Sequence, residues 1–127
     1  MSLKRDKYDI AFSNYIRARD KYTCTKCGKY YPEGNRRGLD CSHYWGRARG
    51  SVRWDEENAD THCRGCHQFL SANPHLFKEW KIKQLGEKRY NALMRRANSV
   101  KKWGKVEKEE MYKELKRKLQ EIIDKYK

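Results

Sequence analysis

Seven residues in this chain have types and separations that could do chemistry: Cys24, Cys27, Cys63 and Cys66, then His43, Asn58 and His67. The cysteines form two Cys-x-x-Cys pairs. Spacing of i, i+3 lets both sulfurs of a pair face one ion, and two pairs supply four thiolates in tetrahedral array. Such a site suits zinc and has no open coordination position, so its role is structural. Redox use of the pairs is disfavoured, because no βαβ pattern surrounds either one. The fifth cysteine, Cys41, sits in a short strand-like run and reads as a small buried residue.

The histidines and the asparagine fit a different task. Phosphodiester hydrolysis needs a base for water, a cation on the scissile phosphate and stabilisation of the leaving oxygen. His43 suits the base, since the intrinsic pKa of imidazole lies near working pH. Asn58 can bond backbone carbonyls across a hairpin and hold His43 in aim. His67 follows Cys66 directly, so zinc at Cys66 fixes its direction, and it is the first candidate ligand for a catalytic metal. Asp40 is the carboxylate chosen to join it, with Asp60, His62, Ser71 and Asn73 as alternatives. One imidazole, one carboxylate, waters and phosphate oxygens suit Mg2+ or Mn2+. Arg47 can clamp the scissile phosphate, and Arg36, Arg37, Arg49 and Arg53 can follow neighbouring phosphates. Trp45 and Trp54 either fill the core or wedge against bases at a branch, the core being the simpler reading.

Composition agrees with an anionic partner. The 127 residues carry 31 Lys+Arg against 17 Asp+Glu, a formal charge of +14. The excess runs through the whole chain and favours nucleic acid. The hydrophobic fraction of 37% contains no run long enough to span a membrane. No secretory h-region opens the sequence, and cysteines arranged for zinc suit a reducing, cytoplasmic compartment.

These residues need elements to hold them. Asp6 can cap a helix over 7–19, whose Tyr8, Ala11, Phe12, Tyr15 and Ile16 make one apolar stripe. A knuckle follows at 23–28 and a loop at 30–38. Short strands are expected at 39–45 and 52–54, joined by the basic loop 46–51, with a turn over 55–60. Helices are expected from 62 or 63 to 72, from Pro74 to 85 and over 87–98. The longest helix, 106–126, carries Tyr112, Leu115, Leu119, Ile122 and Tyr126 as a heptad seam, for packing in its own domain or for a homodimer contact. The expected class is α+β: a zinc-braced ββα unit with an N-terminal helix and C-terminal helices. Residues 1–98 form the main domain and 99–127 a basic helical arm.

At CTKCG, LDCSHYWGR and RWDEENADTHCRGCH the chain resembles the HNH, or ββα-metal, endonucleases. Its SHYWGR, RWDEEN and CRGCHQFLSAN segments are similar to the phage NinG/Rap recombination nucleases, over about residues 20–97. That resemblance implies DNA hydrolysis with a divalent metal, leaving 5′-phosphate and 3′-hydroxyl ends. It implies action on Holliday junctions and D-loops, and a phage-encoded protein in a bacterial host. The chain departs from the wider pattern at Ser42, where an Asp or His ligand is usual. It also has His67 where NinG-like proteins usually have Asn. A non-specific or homing-type HNH nuclease and a non-catalytic zinc-ribbon DNA-binding module are the rival readings.

Overall fold

The computed structural model describes residues 4–32 and 38–126. Helix α1, Lys7–Arg19, begins with a reciprocal capping box: the Asp6 side chain accepts from the N–H groups of Tyr8 and Asp9, and Asp9 accepts from the Asp6 N–H. Its stripe of Tyr8, Phe12, Tyr15 and Ile16 is buried. That stripe forms the main core with Trp54, Ala59 and Leu115.

Strands β1, Leu39–His43, and β2, Ala59–Cys63, pair antiparallel, with Leu39 opposite Cys63 and His43 opposite Ala59. The second strand is not where the sequence pattern places it. Val52 and Trp54 are apolar at i, i+2, but the 3-10 turn Gly50–Val52 delivers them to separate clusters. Val52 packs with Leu85, Leu93 and Ala97, and Trp54 packs in the main core. The real strand has little apolar alternation, because Asp60 and Thr61 are buried with specific polar partners and His62 is buried against the rings of Phe77 and Trp80. Asp60 meets Lys81 Nζ at 2.6 Å, and Thr61 donates from its hydroxyl to the Ile16 carbonyl and from its N–H to Asp20. The 55–60 turn survives only in part, as the 3-10 turn Glu56–Asn58.

Helix α2, Arg64–Ala72, starts directly from β2 with Cys63 as its N-cap. Helices α3, Pro74–Leu85, and α4, Glu87–Ala97, follow, separated by Gly86 at φ 84°, a left-handed position that favours glycine. Helix α5, Lys105–Lys125, turns its seam onto α1 of the same chain, with Leu115 buried and Tyr112 edge-on to Tyr8. No helix among the described residues is long and apolar enough to cross a membrane.

Candidate functional site

The two Cys-x-x-Cys pairs converge. All four sulfurs lie within 4.8 Å of one another, and Cys27 Sγ is 3.8 Å from Cys63 Sγ. Four sulfurs at ~2.3 Å from a tetrahedral zinc would stand ~3.8 Å apart, so the set fits that ion. The N–H of Cys27 points at Cys24 Sγ and that of Cys66 at Cys63 Sγ, each at 3.4 Å, donors that favour thiolates. Burial pushes the Cys24 thiol up, but backbone donors of Cys27, Cys63 and Lys26 bring it down to about 7. Among the described residues this is the one group of three or more Cys, His, Asp or Glu placed to hold a metal. Thr25 ties the first knuckle to β2 through two bonds to the Thr61 carbonyl. The second knuckle is the junction of β2 and α2, so the centre joins α1, the hairpin and α2.

A cleft of about 440 Å³ opens between α1, β1 and α2. It is lined by His43, His67, Asp40 and Arg47, four residues singled out by type and spacing. His43 Nε2 lies 3.0 Å from the Arg53 carbonyl. A carbonyl only accepts, so Nε2 carries the proton and Nδ1 keeps its lone pair. Burial holds the imidazole below the ordinary histidine value of 6.5, against the raising effects of the Arg53 carbonyl and Asp9. His67 Nδ1 lies 3.0 Å from Asp40 Oδ2, and Arg64 reaches Asp40 Oδ1 at 3.3 Å. Burial raises the Asp40 carboxyl, but His67 and Arg64 outweigh it and keep the group below its ordinary value.

Asn58 is fully buried and outside the cleft. Its Oδ1 accepts from the Trp45 N–H, and its Nδ2 donates to the carbonyls of Trp45 and Val52. It thereby pins both ends of the loop that follows His43. It sits just before β2 rather than past the second strand, because that strand lies later in the chain than the pattern suggests.

The arginines divide. Arg47 stands in the cleft, 3.5 Å from Asp9. Arg53 is turned inward and grips Asp9 through two nitrogens, at 2.9 and 2.5 Å. Arg49 lies over the Trp45 ring and bonds to the Ala97 carbonyl and to Asn98. Arg36 and Arg37 lie outside the described residues. Of the alternative metal ligands, Asp60 is engaged with Lys81, His62 is buried against Trp80, and neither Ser71 nor Asn73 lines the cleft. Ser42 is buried and also absent from the lining. Trp54 is a core residue, and Cys41 borders the cleft with its thiol pushed up to about 12 by burial.

Six further residues line the cleft: Arg5, Asp9, Ser13, Arg17, Gly46 and Arg64. Asp9, Ser13 and Arg17 recur every four residues, a polar row along α1 beside the apolar stripe, and all three are buried. That row was visible in the sequence. Asp9 is its hub, accepting also from Trp54 Nε1 at 3.0 Å. Burial pushes its carboxyl up, but Arg53, the Asp6 N–H and Trp54 bring it down to about 2. A group depressed on folding stabilises the fold above its unfolded pKa and loses that contribution as pH falls through the folded value. Asp9→Asn is therefore expected to lower stability by about 3 kcal/mol at pH 7, since Arg53 keeps its charge with only the longer contact to Asp6, at 3.6 Å, to offset it. The difference from wild type should shrink between pH 4 and pH 2, as urea titrations at several pH values would reveal. An equal deficit at every pH would contradict the assignment.

No curated protein and no solved structure matches the chain. A family model described as Bacteriophage Lambda NinG protein matches residues 4–125. The match takes in α1 and α5, beyond the 20–97 stretch on which the sequence resemblance rests, so α5 is part of what the family shares. The chain belongs to the bacteriophage lambda NinG family.

Proposed function

We propose that this NinG-family chain is a metal-dependent DNA endonuclease of the HNH type, acting on branched recombination intermediates. The observation that carries the reading is the cleft itself, where a neutral, aimed imidazole, a histidine–carboxylate pair and four guanidinium groups meet. Phosphodiester cleavage asks for such a combination.

His43 is the general base. Its Nε2–H is held by the Arg53 carbonyl, so Nδ1 is the atom that accepts a proton from water. Its depressed pKa keeps that lone pair available at neutral pH. Asn58 is a positioning residue, fixing the backbone on either side of Trp45. Asp40 accepts from His67 Nδ1–H, which leaves Nε2 as the nitrogen for a metal and makes Asp40 the group that orients it. When bound by His67 with waters and phosphate oxygens, a Mg2+ or Mn2+ ion supplies Lewis acidity and charge for the leaving oxygen. Arg47, with Arg5, Arg17 and Arg64 around it, neutralises charge that gathers on the phosphate.

The reading is tested by incubating the protein with linear, nicked and four-way-junction DNA in Mg2+ or Mn2+. Cutting of the junction faster than the linear duplex, with 5′-phosphate ends, is expected. Failure to cut any of the three would overturn it. The pH profile gives a second check. Because His43 is depressed, the rate should hold through pH 6.5 and fall only in more acid solution. A fall centred above pH 6.5 would point to another base.

A further inference from the structure

His43 is shared by two depressions. On one side is the cleft, and on the other a groove of about 580 Å³ lined by Tyr44, Trp45, Leu70, Phe77, Ser71 and Lys78 among others. The groove is aromatic and carries no carboxylate, in contrast to the depression beside Lys81, which holds Asp20, Glu56, Glu57 and Asp60. Its aromatic rings are fixed. Tyr44 stands edge-on to Trp45, Phe77 and Tyr90, and its hydroxyl meets that of Tyr90 at 2.7 Å. Asn58 holds Trp45 by two backbone bonds, and Arg49 covers that ring at 4.7 Å. Lys78 is exposed on the rim.

We infer that this groove binds the unpaired nucleobase adjoining the phosphate that lies at His43. The inference rests on the nuclease reading of the cleft. Two residue steps, at most about 7 Å of chain, take His43 to Trp45, so the groove serves a neighbouring nucleotide rather than a distant one. In duplex DNA each base face is covered by its stacked neighbours. An aromatic, apolar floor can engage a base only where that face is exposed, as at a branch point or a flap. Lys78 offers a cation to the flanking phosphate, and the nearby Glu79 carboxylate is engaged with His75 at 3.2 Å. The groove thus gives the cleft a means of preferring branched DNA without reading sequence.

The test uses the whole 127-residue chain loaded with zinc and a flap DNA with 2-aminopurine as the unpaired base at the branch, in Ca2+ to separate binding from cutting. Stacking in the groove should quench the fluorescence. Ser71→Trp, at an exposed position on the groove wall, should abolish the quench while overall DNA binding and the thermal transition stay at wild-type levels. In Mg2+ the same variant should cut the flap at least tenfold more slowly and linear duplex at an unchanged rate. A quench that persists in Ser71→Trp, or its absence in the wild type, overturns the proposal. So does an equal loss of cutting on both substrates. A wild type that quenches but cuts nothing would support the groove and sink the nuclease reading, so the two fail separately.

Discussion

Removing zinc is expected to unfold the chain rather than merely to inactivate it. Structural zinc in a four-thiolate site contributes on the order of 10–16 kcal/mol of binding free energy, comparable with the whole stability of a small domain. Besides the sulfurs, the first knuckle is held by the two Thr25 bonds to the Thr61 carbonyl and by the Cys24 N–H on the Lys29 carbonyl. Cys27 is exposed, and the knuckle is entered through Lys21 and Tyr22, two consecutive non-glycine residues at φ 56° and 54°. Residues in that left-handed region cost about 1 kcal/mol or more each and persist only when their surroundings over-determine them. Here the restraint comes from bonds back to the Ala18 and Arg17 carbonyls and from the sulfurs meeting those of the second knuckle. Chelation, or Cys66→Ser, should abolish the cooperative thermal transition followed by circular dichroism. Metal analysis should find one equivalent of zinc in the wild type. A chelated protein that melts as before would refute the structural role.

How much of this could be read in the sequence depended on where the signal was local. Helix α1 declared itself through Asp6 and a stripe at helical spacing, and the cysteines through their paired spacing. Strand β2 did not, because Ala59–Cys63 buries Asp60, Thr61 and His62 against partners far away in the chain, and no alternation of apolar residues survives. Val52 and Trp54 misled in the opposite sense, since two apolar residues in alternation went to different clusters. His43, His67, Asp40 and Arg47 were legible because their types suit one reaction, and the structure does bring them to one cleft. What escaped was how charges are partnered. Arg53 looks like a phosphate ligand by type, yet its guanidinium is engaged with Asp9 across 44 residues, and its carbonyl, not its charge, bears on His43. The heptad seam on α5 was legible as a packing face. That α1 of the same chain covers it is a tertiary fact.

In the proposed mechanism His43 takes the proton from the attacking water. A positioned general base contributes typically ~10²–10⁴-fold to rate, so His43→Ala should lose about that much. Its ring meets Phe12 at a centroid distance of 5.8 Å and bonds to the Arg53 carbonyl, so truncation leaves the four-cysteine centre, the Asn58 pins and the arginines in place. The decisive measurement is the single-turnover rate of junction cleavage in Mg2+ for wild type and His43→Ala, with DNA affinity and zinc content determined on the same preparations. We expect a fall of at least a hundredfold in rate, with affinity and zinc unchanged. Cutting by His43→Ala within a few-fold of wild type, the fold and zinc being intact, would show that His43 is not the base.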